Sequence, residues 1–168
     1  MNHGLEQVKT ALVEALEQSG LRARAAFSPG WAEAYDEPVA AVGLRTGESR
    51  GGAMHSYLGC QLDRETQAYR EIYGMRLDLT LSLDLYAPAR VGVSGCDQAL
   101  ETLHQALLTS LPAGLRGREL KWEEAGWDEE TGMFLRRGSL VCDAFFTAIV
   151  SEDGVLLSDF ILKGVVTK

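Results

Sequence analysis

The 168-residue sequence has few cysteines and histidines, three of each, and no apolar run of the roughly 18 residues that a membrane span needs. Cys60, Cys96 and Cys142 are an odd number and lie far apart, which argues against a disulfide framework. The N-terminus has no charged region followed by an apolar stretch, so we expect no secretory signal. These absences predict a soluble cytoplasmic protein in a reducing compartment, without contact to a membrane.

Basic residues are also scarce. The chain has 16 Lys and Arg against 24 Asp and Glu, a formal charge of −8. Nucleic-acid binders usually present a net basic face, so we expect no nucleic-acid partner. Two small basic clusters are surrounded by acidic residues and are typical of a solvated mixed-charge surface: Arg116, Arg118 and Lys121, and Arg136 with Arg137. The length and the hydrophobic content of 46% predict a single domain over residues 1–168.

The clearest positive signal is an alternation of side chains over residues 75–86. Met75 is followed by leucine at every second position, and the intervening residues are mostly polar. A period of two predicts a strand rather than a helix. At about 3.3 Å per residue it would span roughly 40 Å, so we expect it to project beyond the core.

Two amphipathic helices are predicted to cover the leucine face of this strand. Over residues 5–19, apolar positions recur at helical spacing until Gly20, which ends the helix. The second helix covers residues 96–111, with Ser94 and Asp97 as an N-terminal capping pair. Two residues are predicted to stop this second helix, Pro112 and Gly114.

Most of the remaining chain is predicted to form strands. The segment 46–56 is rich in glycine and is predicted to be a mobile loop, and residues 128–132 form a turn. For residues 64–72 a helix is the alternative to a strand. The predicted class is α+β, with two helices on a mostly antiparallel or mixed sheet. The other strands are residues 21–27, 38–44, 57–73, 115–127, 134–150 and 155–166.

The cysteines and histidines are the candidates for catalytic groups. Cys96 lies near a helix N-terminus, which can lower a thiol pKa, but His104 is about 12 Å further along the same helix. Cys60 and His55 have no third partner. An enzyme or small-molecule binding domain, with a pocket formed by Cys96, His104 and Cys60 between helices and sheet, is the competing hypothesis.

The other motifs are incomplete. The segment 92–95 resembles a nucleophile elbow, but Cys96 stands where the second glycine should be. Gly47 and Gly52 have the spacing of a phosphate loop but lack the lysine and hydroxyl residue that must follow. The histidines, His3 among them, lack metal-site spacing. We therefore predict no catalytic residue, no cofactor and no metal ligand.

Two further features have alternative interpretations. The acidic segment 128–130 is a candidate for weak cation binding, but it lacks the ligand pattern of a calcium loop, and a solvated hairpin tip is favoured. Trp31, Trp122 and Trp127 are candidates for stacking on a sugar or base, and core or interface positions are favoured for them.

The order of elements resembles that of the tail terminator, or tail-completion, proteins of long-tailed bacteriophages and prophages. In that family an N-terminal helix precedes a proline-containing strand, here residues 37–42, then a glycine-rich loop and long strands, here 55–86. A second helix follows, here 96–111, and then paired strands, here 138–144 and 159–164. The resemblance covers nearly the whole chain but includes no diagnostic motif.

The resemblance implies a structural protein rather than an enzyme. It implies a homo-oligomeric ring, typically of six copies, that caps the tail tube and joins it to the head. On this resemblance, the partners are other tail or neck proteins. The protein would be found in the host cytoplasm and in the assembled virion tail. Members of the family are often shorter, so residues 57–73 are either an insertion or the mark of another tail or neck component. An interaction domain unrelated to phage is a further alternative.

Overall fold

The computed structural model describes residues 4–28, 30–50, 56–62, 64–111, 114–150 and 161–162. These residues form three helices and a nine-stranded sheet in which one pair, β1 with β2, is parallel and the others antiparallel, so the predicted α+β class is confirmed. The helices are α1 (Gly4–Gln18), α2 (Trp31–Ala34) and α3 (Val93–Thr109). The strands are β1 (Arg22–Arg24), β2 (Val39–Arg50), β3 (Ser56–Leu62), β4 (Tyr69–Pro88), β5 (Leu115–Trp122), β6 (Gly126–Asp128), β7 (Met133–Arg136), β8 (Gly138–Val150) and β9 (Ile161–Leu162).

The long strand predicted from the alternation is confirmed and is the centre of the sheet. β4 runs for 20 residues and pairs along both edges. On one edge of β4, β3 pairs with residues 69–74 and β2 pairs with residues 76–86. On the other edge, β8 pairs with residues 71–82 of β4 and β7 pairs with residues 85–88. Each edge of β4 is therefore shared by two strands placed end to end.

The leucine face of β4 forms the main core. Leu79, Leu81, Leu83 and Leu85 are each at most 2% exposed. α1 and α3 contribute residues to the same cluster, with Leu12 and Leu103 among the most buried. Full burial of such a side chain contributes about 1.5–3 kcal/mol, so each of these leucines stabilises the fold by an amount of this order.

The predicted end of α1 is confirmed, whereas the predicted start of α3 is wrong. Gly20 has a φ of 87°, and the Leu21 N–H donates to the Leu16 carbonyl at 3.0 Å, which is a Schellman termination. α3 is instead preceded by Gly92 at a φ of 73°, a conformation that favours glycine. Ser94 already lies in the first turn, and its hydroxyl donates back to the Val91 carbonyl. α3 ends at Thr109, before the predicted proline stop.

A second, smaller core lies on the opposite face of the sheet. The short helix α2, which the sequence did not predict, places Trp31 there at 4% exposure. Tyr86 occupies a polar position of the alternation but is buried, because Phe27 stacks on it at 4.8 Å and Trp31 packs against its edge. Met133 and Val39 complete this cluster.

Several predicted boundaries are wrong. Residues 46–50, predicted as loop, continue β2, because β4 is long enough to pair with them; residues 51–55 lie outside the described residues. Residues 57–73 form two strands around a turn at 64–66. Two strands that were predicted as continuous are interrupted. The strand predicted over 115–127 is divided into β5 and β6, and the strand predicted over 134–150 is divided at Arg137 into β7 and β8. Of the strand predicted over 155–166, only β9 is described.

Candidate interaction surface

The first part of the β4 strand and its partner β3 form what we call the arm, residues 56–62 and 69–73. Three of its large apolar side chains are exposed, Tyr57 by 57%, Leu62 by 42% and Tyr69 by 69%, and Tyr73 is half-buried. In the other half of β4, the leucines on the same strand are buried under the helices. The arm is therefore a region of the sheet where three large apolar side chains face solvent.

These apolar side chains share one face of the arm. Tyr57 is the register partner of Tyr73, and Leu62 that of Tyr69, and paired residues in an antiparallel ladder lie on the same face. Tyr69 and Tyr73 are also in phase with the leucines of β4. We call this set the apolar stripe, residues Tyr57, Leu62, Tyr69 and Tyr73; it continues the core face of the sheet beyond the helices.

Contacts within the apolar stripe order its aromatic rings. Tyr57 and Tyr73 pack edge to face with ring centroids 5.7 Å apart. The Tyr73 hydroxyl donates a hydrogen bond to the Glu71 carboxylate, which raises the pKa of Tyr73. A small, ordered and exposed aromatic surface is typical of a protein interface.

The opposite face of the sheet carries an ion-pair network near the base of the arm. Asp143 is only 5% exposed, although it lies on the face that α1 and α3 do not cover. Its Oδ2 atom lies 2.9 Å from Arg118 Nε and 3.1 Å from Arg76 Nη2. Arg76 also approaches Asp78 at 3.3 Å. A buried carboxylate with two guanidinium partners joins β4, β5 and β8 at this level.

The cysteines and histidines of the competing hypothesis lie in separate places. Cys96 is buried on α3 with Sγ 3.7 Å from the Leu85 carbonyl, and burial raises the pKa of its thiol, which disfavours the reactive thiolate. Cys60 is exposed on the arm opposite Glu71. Glu71 and Leu85 are separated by roughly 45 Å of extended strand, so Cys60 and Cys96 do not share a pocket.

His104 also has its own local contacts. Its Nδ1 atom lies 2.9 Å from the Leu100 carbonyl, and its ring packs edge-on against Trp122 at 5.0 Å. His3 and His55 lie outside the described residues. Within the described ranges, no three histidine, cysteine or acidic side chains are grouped closely enough to hold a metal ion.

The acidic turn and the tryptophans have local structural contacts. Asp128 lies at the start of the β6–β7 hairpin turn, and its carboxylate accepts hydrogen bonds from the backbone N–H and the hydroxyl of Thr131. Trp122 and Trp127 are about half exposed and pack against His104 and Phe134, while Trp31 is a core residue. The predicted hairpin tip is therefore confirmed, and so is the core position of Trp31.

Sequence reasoning missed the apolar stripe, although a signal for it was present. Tyr69 and Tyr73 stand at the same alternate positions as the leucines from Leu77 onward. Extending the alternation backwards from Met75 would have placed them on the leucine face. The pairing of Asp143 with Arg76 has no such signal, because it depends on the register between β4 and β8.

Comparison with known proteins adds no relative: no protein-family model matches the chain, and no curated protein matches its sequence. None of the helices in the described ranges has the length and apolar character that a membrane crossing requires.

Proposed function

We propose that this protein is a structural subunit that assembles with copies of itself into a ring, in the role of a phage or prophage tail-completion protein at the head–tail joint. The observation that carries the proposal is the apolar stripe, an uncovered continuation of the core face. The order of elements, which resembles the tail terminator family, supports the phage role. On this proposal the partners are other copies of the chain and other tail or neck proteins.

The arm supports self-assembly for a physical reason. The arm lies at one end of the sheet, with β3 on one edge of β4 and the last residues of β8 on the other. Its exposed tyrosines and leucine would gain burial from contact with another molecule. When the surface that covers the apolar stripe lies elsewhere on an identical subunit, the contact is head-to-tail, and successive contacts of this kind close into a ring if the rotation allows. The ring at the tail joint is one such closed assembly.

The experiment compares the wild type, a double variant on the arm and a control variant by light scattering over a concentration series, followed by electron microscopy of the largest species. We expect the wild-type mass to be a fixed multiple of 18.3 kDa, with closed rings in the images. Tyr57→Ser with Tyr69→Ser is expected to give monomers. Leu108→Ser is the matched control, because Leu108 is 85% exposed but lies on α3, away from the arm.

A wild-type monomer at every concentration, or assembly that survives the arm substitutions, would contradict the proposal. Closed rings without phage genes nearby would separate the assembly from the phage role. Adjacent genes for a portal, a major capsid protein and a tail tube support the role at the head–tail joint.

A further inference from the structure

Two arginines occupy irregular positions on either side of β4. Arg45 lies where the register of β2 shifts between Leu44 and Thr46. Arg137 lies in the break between β7 and β8, beside the same part of β4. Strand irregularities redirect side chains and are common next to functional sites. Here they place two guanidinium groups on one pocket.

This pocket has a volume of about 380 Å³ and opens to solvent. Arg45, Arg137 and Lys121 contribute to its lining together with Gly138 and Ser139. A Cβ at Gly138 would lie 2.7 Å from the Leu83 carbonyl oxygen, so the close approach of these strands requires glycine. The volume lies in the range of small-molecule sites.

The charges of the pocket favour an anion. Within the part of the chain that the structure describes, the guanidinium groups of Arg45 and Arg137 have no hydrogen-bonding or ion-pair partner. Lys121 approaches Glu119 at 3.1 Å, and Glu123 is an acidic residue in the lining. Three cationic residues and one acidic residue therefore line one pocket of a protein whose net charge is −8, and the two arginines are the cations without an ion-pair partner in the described residues.

Asp84 is close enough to both arginines to interact with them electrostatically, and it is held by the backbone. Its Oδ1 atom accepts a hydrogen bond from the Gly138 N–H at 3.3 Å. Burial raises the pKa of Asp84, while Arg45 and Arg137 act in the opposite direction. Asp84 therefore interacts electrostatically with both guanidinium groups but forms an ion pair with neither. The N–H groups of the two arginines are therefore available to a ligand.

We propose that this pocket binds a small oxyanion, a phosphate or a carboxylate compound, through Arg45 and Arg137. The planar guanidinium group donates paired hydrogen bonds to both kinds of oxyanion. The site is separate from the apolar stripe and does not depend on the proposed ring.

The test is isothermal titration calorimetry of the full chain with inorganic phosphate and with citrate, in a buffer without either and at constant ionic strength. We expect Arg45→Gln and Arg137→Gln each to weaken binding by at least about tenfold. Arg116→Gln is the control, because Arg116 is an exposed arginine on the same sheet face, opposite Asp143 and outside the pocket, and it should bind as the wild type does.

The two probes identify the source of the anion. Tighter binding of phosphate assigns the pocket to phosphate compounds, and tighter binding of citrate assigns it to carboxylates. No heat of binding with either probe, or an equal loss in Arg116→Gln, would overturn the proposal. Masses of the same variants by light scattering keep the two proposals apart, since Arg45→Gln should lose anion binding and keep the wild-type mass.

Discussion

The two halves of β4 present the same kind of face to different surroundings. Leu83, under the helices, is 1% exposed, whereas Tyr69, in phase with it at the other end of the strand, is 69% exposed. Leu62, the register partner of Tyr69, is 42% exposed. Alternation determines which face a side chain occupies, but a second layer determines whether that face is buried. The difference separates a half that stabilises the subunit from a half that is free to contact another molecule.

The largest effect is expected from Leu83→Ala in the covered half. Removing a fully buried leucine side chain loses its burial and leaves a cavity, at a cost of about 2–5 kcal/mol in the free energy of unfolding. Urea unfolding followed by circular dichroism measures this change. A cost below about 1 kcal/mol would mean that the helices do not pack on this face as tightly as its burial indicates.

A somewhat smaller effect is expected from Gly138→Ala, where β8 begins beside the covered half of β4. The new Cβ would meet the Leu83 carbonyl oxygen at 2.7 Å, so backbone must shift, at a cost of about 1–3 kcal/mol. Gly126→Ala is the control, because a Cβ there has no neighbour within 4 Å. Equal stability of the two variants in urea would show that the β7–β8 break accepts a side chain.

The sequence contained enough information for the covered half. Period-two leucines predicted β4, helical spacing predicted α1 and α3, and Gly20 predicted the end of α1. These are local patterns, and each is confirmed because the tertiary contacts agree with them. The predicted start of α3 is wrong because Gly92, with a positive φ, rather than Ser94, precedes the helix.

The parts that could not be predicted depend on pairing over long distances in the chain. The irregular positions of Arg45 and Arg137 belong to the pairing of β2, β7 and β8 with β4, and neither has a local sequence signal. Residues 46–50 extend β2 because β4 offers them hydrogen-bonding partners. For the same reason the oxyanion pocket is visible only once the register is known.

The covered half is also expected to respond to alkaline pH through Tyr86. Burial raises the pKa of Tyr86 to about 12 from 10.0. Between these values the unfolded chain loses the phenol proton and the folded chain keeps it, so stability falls as the pH rises, by at most about 1.4 kcal/mol per pH unit.

Tyr86→Phe should remove this contribution, so that its unfolding free energy falls less steeply above pH 10 than that of the wild type. Tyr73→Phe on the arm is the matched control and should change the slope less, because Tyr73 is in contact with water. Urea unfolding at several alkaline pH values provides the measurement. Parallel pH profiles for Tyr86→Phe and the wild type would contradict the burial of the hydroxyl group.

The smallest effect is expected from Leu62→Ala, the same substitution as Leu83→Ala but on the arm. Because Leu62 is 42% exposed, its removal leaves no enclosed cavity, and the monomer should lose less than about 0.5 kcal/mol. In an assembly that covers the apolar stripe, subunit binding adds to the stability of the folded state, and the apparent cost grows with protein concentration. Thermal unfolding at low and high concentration distinguishes these cases. A cost as large as that of Leu83→Ala at the lowest concentration would show that the arm belongs to the core of the subunit.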